Sequence, residues 1–456
     1  MQPLPIRPIL QLAWPVLVAQ LAAMGMTVAD TVMTGRYATD DLAAVAVGGG
    51  LYISIVFALA GIIHSIAPIV AHHHGASRRE AIGPAFQQGV WLALMLSLPG
   101  ALLLAFPDPL LGLSRLTPSV EAKTRAYMAT AAWAIPAVML YRAFHSFNNA
   151  LGRPRPMMVI ALLGTVLHVP LAYALINGRA GLPELGAVGC AASTAAVSWF
   201  GLSCAAGYLG LRRSYRPYRL FSRWRPPEPR AFAEMLRLGL PMGFSNFVEI
   251  TSFTLIALFV ARLGPEVVAG HRVVANINAV LYMLPLSIAS ATLVLTGQAL
   301  GAGERGRAGA TAVSGLALGC ALAVIFGAAL WLAAQPLIFL YTTDTAVRAV
   351  ALGLIGYVSV FLLFDAWHTI GSFTLRGYKV TLAPMLIHVV CFWGLGLSGG
   401  YRLAFHGLAI GPANLAPMGA AGFWLMAIIA TVVAGALIGA MLWSVSRRDR
   451  PHHGAV

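Results

Sequence analysis

The sequence predicts an all-α polytopic membrane protein of twelve transmembrane helices, arranged as two pseudo-twofold-related six-helix lobes. Three observations carry this expectation. The 456 residues are 59% hydrophobic and only 10% charged, with mean hydropathy +0.79, whereas a soluble domain carries about 25% charged residues. The apolar residues gather in twelve runs of about 20 residues or more, the length a helix needs to cross the hydrocarbon core. The second half of the chain echoes the first.

The runs lie near residues 9–35, 42–74, 83–107, 121–150, 155–177, 184–211, 235–262, 268–300, 308–334, 346–374, 381–404 and 416–445. Their extra length implies tilt or extension beyond the bilayer. Eight residues precede the first run, which is too long for a cleaved signal, so it reads as an uncleaved first helix. With the N-terminus placed in the cytoplasm, the inside stretches, with Arg155 at the edge of the fifth run, hold 19 of the 30 Lys and Arg. One of them alone carries Arg212, Arg213, Arg216, Arg219, Arg223, Arg225 and Arg230. The positive-inside rule then sets both termini in the cytoplasm. The net charge of +15 therefore reports topology, and no nucleic-acid partner is expected. Cys190, Cys204, Cys320 and Cys391 are scattered through apolar runs without a CxxC and read as small packing residues.

The repeat has an offset of 226. ILQLAWP at 9–15 falls on MLRLGLP at 235–241, DLAAVAV at 41–47 on VVAGHRV at 267–273, and HHHGASRR at 72–79 on QALGAGER at 298–305. Six crossings return each half to its starting side, so the halves share one orientation and a pseudo-twofold axis lies along the membrane normal. The expected domains are residues 1–211, a cytoplasmic basic linker at 212–234, and residues 235–456. Two parallel lobes are a transporter plan, which suggests alternating access.

The chemistry sits in three acids. Of 15 acidic residues, only Asp30, Glu249 and Asp365 lie well inside apolar runs. An acid at the bilayer centre costs about 2.5–3.5 kcal/mol on insertion scales, so each marks a functional position by default. The bland alternative is a protonated or hydrogen-bonded carboxyl that ties helices together. Ser245, Asn246 and Ser252 share the helical face of Glu249, an oxygen-rich stripe that suits a hard cation such as Na⁺. Asp365 has His368 and Thr369 one turn on, with Ser372 behind. Asp30 has Thr27 and Thr34 nearby, among Met24, Met26 and Met33. These methionines form an adaptable wall for varied lipophilic substrates, or ordinary packing. In the repeat, Glu249 falls on Ala23 and Asp30 on Ile256, so each lobe holds its acid at its own place. A carboxyl tuned toward working pH exchanges H⁺ for another cation, the simplest antiport chemistry.

The stretches VADTVMTGRYATDDLAAVAVGGGLY and PIVAHHHGA in the first half, and GLPMGFSNFVEI, LGPEVVAGHRVVANI and MLPLSIASATLVLTGQALGAG in the second, resemble the multidrug and toxic compound extrusion (MATE) family. The likeness is greatest to its NorM branch. LGRPRPMM, YTTDTAV, LRGYKVTLAPM and GAAGFW extend the resemblance over essentially the whole chain. It implies two six-helix lobes around a central cavity, a monomer, and the bacterial inner membrane. It implies export of cationic lipophilic compounds against inward Na⁺ or H⁺, with no cofactor beyond the coupling ion. By residue, Asp30 matches an acid of protonation and substrate binding, with Met33 beside it. Glu249 and Asp365 match acids of cation coupling, and Tyr282 a tyrosine that faces the cation. Asp344 matches an acid that contacts substrate, unless it only caps a helix. The chain departs from the family at His168 and Ala172 (often asparagines), Phe361 (often tyrosine), Arg272 (glutamine) and Ser398 (proline).

The remaining features point less sharply. Arg142 could pair with a carboxylate or snorkel. His72, His73 and His74 are consecutive and so point around a helix rather than at one metal ion. Glycines 48–50 suit close helix packing or a hinge. No P-loop or HExxH occurs, and GLSGG at 396–400 spells GxSxG only inside an apolar run, so neither a nucleotide-driven pump nor an intramembrane hydrolase is expected. A flippase for lipid-linked sugars is the alternative transporter. It would need extra segments and a strongly basic cavity.

Overall fold

The computed structural model describes residues 5–112, 116–221, 224–410 and 413–448; Arg223 of the basic stretch lies outside them. The helices are α1 (Ile6–Tyr37), α2 (Thr39–Ile63), α3 (Ile66–Gly75), α4 (Arg79–Ala105), α5 (Asp108–Leu111), α6 (Pro118–Ala132), α7 (Ile135–Ala150), α8 (Arg155–Asn177) and α9 (Ala187–Leu211). They continue as α10 (Pro229–Val260), α11 (Pro265–Gly301), α12 (Arg305–Leu332), α13 (Ala334–Tyr341), α14 (Thr345–Gly377), α15 (Leu382–His388), α16 (Gly400–Phe405) and α17 (Ala420–Arg448). A short antiparallel hairpin pairs Leu408–Ile410 with Ala413–Leu415.

Among the described residues, eleven helical stretches are long and apolar enough to cross a membrane. The twelfth run, 121–150, forms α6 and α7 in succession. Pro136 brings no N–H to the ladder, and the amides of Trp133 and Ala134 close tighter turns onto Thr130 and Ala131. A like break separates α2 from α3 upstream of Pro68, where Ser65 bonds back to Ile62 and Ala67 to His64. Between α15 and α16 the chain is wound as a π-helix over Val389–Gly399.

The chain divides into two compact units: the described residues of Trp14–Gly243, and those of Met1–Ala13 with Phe244–Val456. In the first unit, Ile63, Ile66, Ile82, Met128, Met139 and Phe147 form a fully buried apolar centre. Gly48 is where α2 meets Tyr127 of α6; a Cβ there would stand 2.7 Å from the ring. Close packing therefore accounts for the first glycine of the run, whereas Gly50 faces open space.

The basic stretch after α9 belongs to this first unit and is tied to α4. Gln87 Nε2 donates to the Leu220 carbonyl at 2.8 Å, Gln88 Nε2 to Pro226 at 2.9 Å, and Trp91 Nε1 to Arg225 at 3.0 Å. The Tyr215 hydroxyl donates to Asn148 Oδ1 at 2.6 Å. Burial pushes the Tyr215 phenol up to about 12, with Tyr208 adding to the effect, so it remains a donor at working pH.

In the second unit α14 packs against α11, α12 and α17. Phe361, Phe423 and Trp424 lie in its core, and the first residues of α1, Ile9 and Ala13, pack with Ile288 and Ile370. This central helix carries Asp365.

Candidate functional site

Two of the three acids come together in the second unit. Glu249 on α10 and Asp365 on α14 line one small cavity, walled by Phe253, Phe361 and Phe392 and by the hydroxyl-bearing Ser252 and Thr431. Its volume, about 20 Å³ for the centre of a water-sized guest, is enough for a water or a monatomic cation. Ser252 donates its hydrogen to the Val248 carbonyl at 2.7 Å, and Thr431 to Ala427 at 3.0 Å. Both hydroxyl oxygens keep lone pairs for a guest. Tyr282, from α11, interacts with Glu249 and with Thr369.

Asp365 is only 3% exposed. Its neighbour His368 sets Nδ1 3.4 Å from Oδ1 and 3.1 Å from the backbone oxygen of Asp365. Thr369 Oγ1 lies 3.4 Å from the same nitrogen. The helix continues this stripe through the buried Ser372 to the buried Arg376. His388, from α15, sets its ring 5.2 Å from that of His368, centroid to centroid. Arg376, His388 and Thr431 were not among the residues singled out from the sequence. Arg376 was findable: it follows Asp365 by three helical turns on one face. His388 and Thr431 reach the cluster from other helices, and no spacing in the chain marks them.

The third acid stands in the first unit. Asp30 Oδ1, on α1, is 2.8 Å from Nε2 of His168 on α8. His168 is 1% exposed, and among the described residues its Nδ1 has no hydrogen-bond partner. Cys190 of α9 also interacts with Asp30, while Thr34 donates to the Asp30 carbonyl at 2.7 Å. Met33 packs half-buried against the core of this unit.

Asp344 stands apart from the acid pair. Its carboxylate accepts from the amides of Ala346 at 2.8 Å and Val347 at 3.1 Å, capping α14. Asp365 follows after 21 residues, roughly 30 Å along the helix axis. Arg142 lies over the Phe57 ring at 5.8 Å and makes no ion pair among the described residues. Arg272 is exposed. Among the described residues, no three His, Cys, Asp or Glu side chains are placed to hold a metal ion together.

Known proteins match this chain along nearly its whole length. A protein of Aromatoleum aromaticum named "Probable multidrug resistance protein NorM" is 56% identical over 438 residues, covering 96% of this chain and 94% of its own. "Multidrug resistance protein PmpM" of Pseudomonas aeruginosa is 34% identical, covering 98% and 93%. A solved structure described as the "outward-facing conformation of a multidrug resistance MATE family transporter of the MOP superfamily" superposes with TM-score 0.88 at 17% identity, over 98% of this chain and 97% of that one; at that identity the likeness is one of fold. Residues 15–174 and 241–402 each match the MatE family. The two matches begin 226 residues apart, the offset at which the sequence repeats. The chain is thus a multi-pass membrane protein that belongs to the MatE family.

Proposed function

We propose that the protein is a secondary-active multidrug exporter of the bacterial inner membrane. It moves cationic lipophilic compounds outward, against inward Na⁺ or H⁺, by alternating access. The observation that carries this reading is the small cavity lined by Glu249 and Asp365. Two carboxylates and two hydroxyls line it, with Tyr282 interacting with Glu249, and together they offer a monatomic cation an oxygen-rich seat. The names of the relatives, multidrug resistance proteins, support the substrate class. Asp30, with Met33 on the same helix, serves substrate and protonation in the other unit, and Asp344 meets substrate at the start of α14. The membrane potential supplies about 2.3 kcal/mol per charge per 100 mV, enough to drive such an exchange.

One observation favours protons over Na⁺. His368 stands beside Asp365, and an imidazole nitrogen suits proton exchange better than the coordination of a hard cation. The test uses the purified chain in liposomes loaded with a fluorescent cationic dye, with Na⁺ and proton gradients imposed separately. Dye movement under one gradient names the ion. No movement under either, in folded protein, overturns the exporter reading and favours a flippase for lipid-linked sugars.

A further inference from the structure

Arg376 is a buried cation. It lies in the last turn of α14 and is only 4% exposed. Among the described residues it makes no ion pair, and its Nη1 has no hydrogen-bond partner. Nη2 reaches Asn246 Oδ1 at a long 3.4 Å, and the guanidinium lies 4.2 Å from the centre of the Phe373 ring. A buried charge with so little compensation is costly and needs a reason.

The reason lies one turn away. Asn246 precedes Glu249 by three residues on α10, about 4.5 Å along the same face. Glu249 and Tyr282 are the groups with which Arg376 interacts electrostatically. An arginine side chain has a long, flexible stem and a head that fits a carboxylate in a bidentate fork. Its rest on Asn246 therefore lies within reach of Glu249.

The cavity poses a charge problem that this residue solves. With no cation bound, two carboxylates share one small, largely apolar space, an arrangement that low dielectric penalises. We infer that Arg376 is an internal stand-in for the coupling cation: its guanidinium swings from Asn246 to Glu249 when the ion leaves, and yields when the ion returns. The ion and the guanidinium then compete for one carboxylate. The empty carrier stays neutralised while it resets. The part this plays in turnover rests on the antiport reading above; the competition itself does not.

The competition is measured on the purified full-length chain, with ²²Na⁺ for sodium and a pH electrode for proton uptake. Arg376→Gln removes the competitor and raises affinity for the coupling ion by about tenfold, the worth of one charge at ~10 Å in an effective dielectric of ~20. Arg376→Lys keeps the charge and holds affinity near wild type. In a Glu249→Gln background the Arg376→Gln effect vanishes. Asn246→Ala releases the guanidinium toward Glu249 and weakens ion binding, an opposite sign that a merely structural role does not give. In liposomes Arg376→Gln retains dye-for-dye exchange but loses net ion-driven efflux. Unchanged or weaker ion binding in Arg376→Gln overturns the inference. Should that variant not fold, unchanged or tighter binding in Asn246→Ala overturns it. If the wild type moves no dye under either gradient, the antiport reading fails while the affinity comparison still decides Arg376. A wild-type chain that binds neither ion overturns both.

Discussion

His168 on α8 sets Nε2 2.8 Å from Oδ1 of Asp30 on α1. The pair joins two helices whose acid and base are 138 positions apart in the chain, and neither helix explains its polar residue alone. His168→Leu takes the imidazole from the partly buried Asp30, and the loss of such a hydrogen bond costs about 0.5–1.5 kcal/mol. His168→Asn keeps a donor and is expected to lose less. Thermal unfolding of the two variants in detergent checks the order. Equal stability of His168→Leu and wild type would remove the pair from the account.

The acid pair makes a demand on function rather than on stability. Glu249→Gln and Asp365→Asn preserve shape and remove charge, so both are expected to fold and to reach the membrane. Ion-driven efflux should fall to that of protein-free vesicles, because neutral amides no longer attract a cation. Resistance of cells expressing each variant to a cationic dye gives an independent readout, and full resistance in both sinks the coupling role.

Tyr282→Phe tests the tyrosine that interacts with Glu249. The ring remains and one hydroxyl goes. A hydrogen bond of that kind contributes about 0.5–1.5 kcal/mol, so the ion concentration for half-maximal transport should rise by about two- to tenfold. A change in maximal rate with an unchanged half-maximal concentration points instead to a packing role.

Asp344 separates capping from substrate contact. Asp344→Ala loses the cap of α14 and about 0.5–2 kcal/mol of stability, whereas Asp344→Asn caps about as well and loses only the charge. If the carboxylate meets cationic substrate, Asp344→Asn raises KM for the dye at wild-type stability. A variant with wild-type KM leaves Asp344 as a cap alone.

The sequence announced the helices because lipid imposes them. Backbone polar groups must be satisfied within the segment, so twenty apolar residues leave little choice. The repeat was equally open to reading, and the MatE family matches begin at the same offset. Interruptions were harder. Pro136 and Pro68 stood in the text, but tighter turns at Trp133 and Ser65 depend on hydrogen-bond partners that composition does not name. Of the site, Asp30, Glu249 and Asp365 could be picked out because an acid is expensive where its neighbours are apolar. His168 was noticed as a departure, yet its bond to Asp30 crosses from one helix to another and left no spacing to find. Arg376 sat at a segment edge, where arginine is ordinary. Only its burial and its unmatched nitrogen make it unusual.

The π-wound stretch Val389–Gly399 carries two residues of the cavity wall, Phe392 and Gly396, and its Trp393 donates to Thr251 of α10 at 3.2 Å. A π-turn holds one more residue than an α-turn closing the same loop. Winding is thus a stored length of chain: tightening it would lengthen the segment and rotate every side chain it carries. The shape of the cavity is set, on this side, by pitch as well as by the choice of side chains. Helix register is the quantity to watch here, because a change of pitch would move Phe392 and Gly396 of the wall together.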